Sequence, residues 1–108
     1  MDVGVWMSRG VLAHKRDTGH ALQAWNMKSL PDELSRPPEP HRLYVAVEGR
    51  WRGFFLLEPW VTRNPADPAR PWTLLFNPGS WTAIPPQSAP KRDRTLGYTL
   101  DVPALPLS

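Results

Sequence analysis

Proline governs what this chain can become. It carries fourteen prolines in 108 residues. Each proline inside a helix costs roughly 3 kcal/mol, because it removes a backbone donor and collides with the preceding turn. From Pro31 onward few windows are free of one, which argues strongly against a helical protein, and the proline-free stretches read as short strands. The length suits a single domain spanning 1–108. Six tryptophans, each able to bury roughly 150–250 Å², supply much of a core that would otherwise be modest. They cannot all be interior in so small a domain, so some are expected to line a surface groove.

The strand pattern is clearest in the middle. Arg42 through Glu48 is rich in β-branched and aromatic residues, with Leu43, Val45 and Val47 on one face. Glu48-Gly49-Arg50-Trp51 reads as a turn, and Arg52 through Glu58 as the return strand, apolar on both faces and limited by Pro59. Trp72–Phe76 and Trp81–Ile84, joined by Asn77-Pro78-Gly79-Ser80, read as a second hairpin stopped by Pro85-Pro86. Thr95 through Val102 reads as a last strand, and Val3 through Met7 as the first. Ala21 through Met27 favours a strand over two helical turns, and Ser29 through Leu34 has a helix-start pattern with Ser29 as its N-cap. Five to seven strands with one short helix predict a mostly β fold, a small closed or pseudo-barrel, because closure protects exposed edges.

Several function classes fall away on composition. There are no cysteines, which excludes disulfides, thiol catalysis and cysteine-based metal sites. His14, His20 and His41 have no metal-ligand spacing and read as lying on separate loops. No glycine-rich loop opens a helix, and Ser80 lacks the strand–turn–helix context of a nucleophile elbow. Nothing asks for catalysis, a metal or a cofactor. Asp2 stands where a signal peptide would be basic, and no run approaches the roughly 20 apolar residues of a membrane span. A cytoplasmic protein with no membrane partner is the expectation.

The charge distribution points to binding. Net charge is +3, and ten of the thirteen basic residues are arginine, whose planar forks suit phosphate and carboxylate; a GC-rich codon bias would give the same excess. Two basic clusters stand beside aromatics: Arg50-Trp51-Arg52 at the hairpin, and Lys91, Arg92 and Arg94 before Tyr98. Cations for phosphates interleaved with aromatic faces for bases are what a single-stranded nucleic acid requires. Arg50, Arg52, Lys91, Arg92 and Arg94 are the expected phosphate contacts, with Trp51 and Trp25 stacking on bases. The same residue types favour protein interfaces, with Trp60 or Trp72 as anchor. The alternative is therefore a protein-interaction module, such as a small accessory or inhibitor protein of phage or plasmid origin.

From Arg42 to Val102 the order of segments (Leu-Tyr-Val-Ala-Val, Gly-Phe-Phe-Leu-Leu, Trp-Thr-Leu-Leu-Phe, Leu-Gly-Tyr-Thr-Leu) resembles the PUA-like superfamily of small β-barrels, which includes ASCH and EVE domains. The resemblance implies a pseudo-barrel with a small helix near its mouth that binds RNA or a modified base. The ASCH pattern Gly-x-Lys-x-x-Glu-x-Arg would fall on Gly19, Ala21, Ala24 and Asn26, so only its glycine is present. The associated hydrolase activity is therefore not carried over.

Overall fold

In the computed structural model, which describes residues 2–29, 41–63 and 66–103, Leu43, Val45 and Val47 alternate with Tyr44 and Ala46, and both sets are buried. A strand covered on both faces needs a layer on each side, and that requirement organises the molecule. The described elements run β1 (Asp2–Trp6), α1 (Arg9–Lys15), β2 (Gln23–Met27), β3 (Arg42–Val47), β4 (Arg50–Arg63), β5 (Trp72–Phe76), a 3-10 turn (Pro78–Ser80) and β6 (Thr82–Ser88). The protein is mostly β, with one α-helix among the described residues.

The strands lie in the order β1-β3-β4-β5-β2, with β6 also paired to β4. The first half of β4 belongs to one ladder with β3 and β6, extended by β1 parallel to β3. The second half belongs to another ladder with β5 and then β2. Among the described residues β1 and β2 do not pair, so the sheet is not closed as the sequence led us to expect. The main core gathers Val3, Val5, Leu43, Val45, Val47 and Phe55 from the first ladder with Met27, Leu74 and Phe76 from the second. Leu12 of α1 packs into it. A second core of Tyr44, Ala46, Trp51 and Phe54 lies on the other face of the first ladder, where Trp6, Ile84, Ala89 and Val102 close over it.

Four sequence expectations are corrected here. The hairpin turn centres on Glu48 and Gly49, both at positive φ (53° and 78°), as a two-residue turn matched to strand twist requires. The return strand therefore begins at Arg50. It also continues past Pro59 to Arg63, although the pairing shifts between Leu57 and Val61, where the proline cannot donate. Its middle is apolar and buried on both faces at Phe54 and Phe55, while Leu56 beyond them is 47% exposed.

Second, β5 and β6 do not form a hairpin with each other, since each runs antiparallel to a different segment of β4. The Asn77 side chain accepts from the Gly79 amide at 2.8 Å, and Ser80 Oγ accepts from the Leu56 amide at 2.9 Å. These bonds fold residues 77–80 into a 3-10 turn pinned to β4. Third, Pro85-Pro86 does not stop β6, which reaches Ser88. The prolines fall where pairing to β4 is irregular, between Gly53↔Ala83 and Trp51↔Gln87, so no ladder bond needs their missing amides.

Fourth, residues 95–102 form no strand and touch the sheet through a bridge between Gly4 and Thr99. Asp93 Oδ1 accepts from the Thr95 and Leu96 amides at 2.8 and 2.9 Å, a local arrangement that competes with a strand.

Helix α1 was not anticipated. Its N-cap Ser8 accepts from the Val11 amide, but Arg9 and Gly10 blur the start, where acids would be favoured. It carries His14, which therefore sits on a helix and not a loop, while His41 is buried. The helix expected from Ser29 to Leu34 lies outside the described residues, apart from Ser29, whose hydroxyl donates to the Leu96 carbonyl at 2.8 Å. The side chain of Trp60 lies outside them too.

Candidate functional site

Trp25 belongs to a wall shared by two neighbouring clefts, together with Asn26 and Arg70. It lies on β2, opposite Leu74 of β5, and among the described residues no other strand pairs with β2. Its ring is half-buried, packed on the main core. Beside it, Asn26 is held by the Thr73 hydroxyl at 2.8 Å. One cleft, of about 470 Å³, runs from Trp25 and Lys28 to Arg70 on one side and to Arg92, Arg94 and Gly97 on the other. The second, of about 460 Å³, continues from Trp25, Asn26 and Arg70 to Gly10, His14 and Lys15 of α1. Together they form a trough whose two parts share Trp25, Asn26 and Arg70.

Three separate segments supply the charge. The turn at 93–97 is built by Asp93 and by Gly97, whose φ is 78°. It is fastened to the end of β2 by the Lys28 ammonium, which donates to the Arg94 carbonyl, and by Ser29. Arg70 ends a turn capped by Asp67, which accepts the Arg70 amide at 3.2 Å. In the first cleft Lys28, Arg70, Arg92 and Arg94 face a single carboxylate, Asp93. One oxygen of that carboxylate is occupied by the amides of its own turn. In the second cleft the Lys15 ammonium donates to the Ala24 carbonyl at 2.7 Å, and its burial lowers the pKa from the ordinary value.

Of the residues singled out from sequence, Trp25, Arg92 and Arg94 meet in this trough. Lys91 is exposed one residue away and does not line it. The Arg50-Trp51-Arg52 cluster is dispersed. Trp51 is only 2% exposed and belongs to the second core, edge-on to Tyr44 with ring centres 6.2 Å apart, so it offers no face to a ligand. The cause is a bulge: Val45 pairs with Gly53 but Ala46 pairs with Trp51. That leaves Arg52 as an extra residue and turns Trp51 inward. Arg50 is exposed beside the hairpin turn. Arg52 lines a different groove, of about 360 Å³, with Arg9, Arg16 and Trp81. Trp72, a possible interface anchor by sequence, is half-buried with the Arg63 guanidinium 5.4 Å from its ring centre.

Lys28 and Arg70 were missed, because each is a lone cation in its own segment and only strand order brings it to Trp25. Lys15 counted in the sequence only as N-terminal positive charge, with Arg9 and Arg16, and it reaches Trp25 together with His14 on α1, the helix that was not anticipated. Among the described residues no three His, Asp or Glu side chains gather as a metal site would need, and no helix is long and apolar enough to cross a membrane. Comparison with protein-family models, with curated proteins and with solved structures gives no significant match.

Proposed function

We propose that the protein binds single-stranded nucleic acid without catalysis, using the trough at Trp25. A base stacks on the Trp25 ring while Arg70, Arg92, Arg94 and Lys28 receive the flanking phosphates. The observation that carries the reading is a tryptophan on β2, set among four cations from three segments and a single carboxylate, one oxygen of which is held by its own turn. A small anion would need one or two of those cations. A polymer with regularly spaced phosphates and flat bases uses the whole array. The fold reading goes with it: a core enclosed by two ladders that share β4 suits a partly open barrel of the PUA-like kind.

The test is a fluorescence titration with short RNA and DNA single strands at two salt concentrations. Saturable quenching is expected, with log affinity falling against log salt at a slope of about −2 to −3, since each phosphate neutralised on a single strand contributes about −0.7. Trp25→Ala should cost ten- to hundredfold in affinity, the roughly 1–3 kcal/mol of one stacked base. Arg92→Glu with Arg94→Glu should abolish binding at moderate salt. Arg50→Glu, outside the trough, should change affinity by no more than about threefold, because its field is screened at that range. Absence of binding at low salt would overturn the reading and favour a protein partner.

A further inference from the structure

Helix α1 separates the Trp25 trough from the groove that holds Arg52, and each side of the helix lines one of them. Gly10, Val11, His14 and Lys15 face the trough, while Arg9, Leu12 and Arg16 face the other groove. This is the division that helical spacing produces between opposite sides. The second groove repeats the chemistry of the first. Its floor includes Trp81 and Ile84, and its cations are Arg9, Arg16 and Arg52. The Arg16 guanidinium lies over the Trp81 ring, 5.4 Å from its centre, so a base laid on it would find a planar cation backed by an aromatic ring. Arg9 is held by Glu48 at 3.2 Å, an exposed pair with both side chains well over half accessible. Such a pair is weak and exchanges readily for a phosphate.

The crest between the grooves is low. Ala13 is exposed, and a Cβ added to Gly10 would meet nothing within 4 Å. No long side chain projects from the crest between Arg9 and His14. We propose that a bound strand crosses α1 at Gly10 and Ala13 and places further nucleotides in the groove of Arg16, Arg52 and Trp81. This rests on the reading of the Trp25 trough as a nucleic-acid site and extends it to a partner: a strand longer than the trough alone can hold. The described residues span 37 Å in the longest dimension, so the two grooves are close enough for one short strand to span both.

The experiment compares labelled oligouridylates of about four and about twelve nucleotides, within the range of site sizes known for small β domains. Each is titrated over a salt series against the wild-type chain, the Arg16→Gln, Arg52→Gln double variant and Ala13→Glu. All three proteins are first matched in far-ultraviolet circular dichroism and thermal midpoint. The longer strand is expected to show the steeper salt slope. The double variant should flatten that slope by about 1.4, two phosphates at about 0.7 each, while leaving the shorter strand unchanged. Ala13→Glu, which raises a carboxylate on the crest, should weaken only the longer strand, by roughly tenfold. Equal slopes for both lengths, with the shorter strand still bound at Trp25, would overturn the crossing and leave the trough reading intact. Loss of the longer strand's advantage in Ala13→Glu alone would support it even if the double variant failed to fold. No binding of either length would overturn both.

Discussion

Tyr44 is fully buried against Trp51 and Phe54, with ring centres 6.2 and 5.3 Å away, and its hydroxyl has no hydrogen-bond partner among the described residues. An unpaired buried hydroxyl carries a desolvation penalty with nothing to offset it. Tyr44→Phe is therefore expected to raise stability by up to about 1 kcal/mol, measurable as a higher urea midpoint with an unchanged slope. Lys15 makes the opposite kind of statement. Its burial disfavours the charged ammonium, so the folded chain loses this proton at a lower pH than the unfolded chain does. Between the lowered pKa and the ordinary 10.5 the unfolded state binds more protons, and stability rises with pH across that window. Lys15→Met removes this contribution. Its stability relative to wild type should be highest at neutral pH and decline as pH approaches 10.5, a trend that denaturation at a series of pH values would reveal. A constant difference would mean that Lys15 is solvated as an ordinary lysine.

Among the elements, β1 is fixed by what it lacks. A Cβ built at Gly4 would overlap the Trp51 ring and come within 3.0 Å of Val102, so the second core depends on a bare backbone at that point. Gly4→Ala is expected to cost about 1–3 kcal/mol through displacement of Trp51. Near-ultraviolet circular dichroism should change along with the denaturation midpoint, and a native spectrum with native stability would count against this packing. The same site explains what the sequence could convey. Strands at Asp2–Trp6, Arg42–Val47 and Trp72–Phe76 were legible because β-branched and aromatic residues cluster between breakers, and Gln23–Met27 because Gly19 and Pro31 leave little room for a helix. The inward turn of Trp51 was not legible, because a one-residue bulge at Arg52 reverses the alternation and leaves no mark in residue type. Likewise Pro85 and Pro86 read as a stop, when an edge strand with irregular pairing accommodates both. The Asn77–Ser80 segment read as a reversal because its composition fits many turns, and only the bond from the Leu56 amide to Ser80 selects this one.

At the scale of the whole molecule, half of the candidate site could be read in advance. Arg92 and Arg94 stood out as a local charge run, and Trp25 as an aromatic outside the clearest strands. That they face one another, with Lys28 and Arg70 completing the array, follows from the pairing of β2 with β5 and from the anchoring of the 93–97 turn on Lys28 and Ser29. Neither is local in sequence. One more consequence follows from the two bonds between Gly4 and Thr99, at 2.8 and 2.9 Å. As the chain leaves the ribosome, its first strand must wait for β3 to emerge, and the layer over Trp51 cannot form until Thr99 and Val102 have followed. Nascent chains shorter than this should hold Tyr44, Trp51 and Phe54 open to chaperones, since contacts spanning so much sequence form late and expose apolar surface meanwhile.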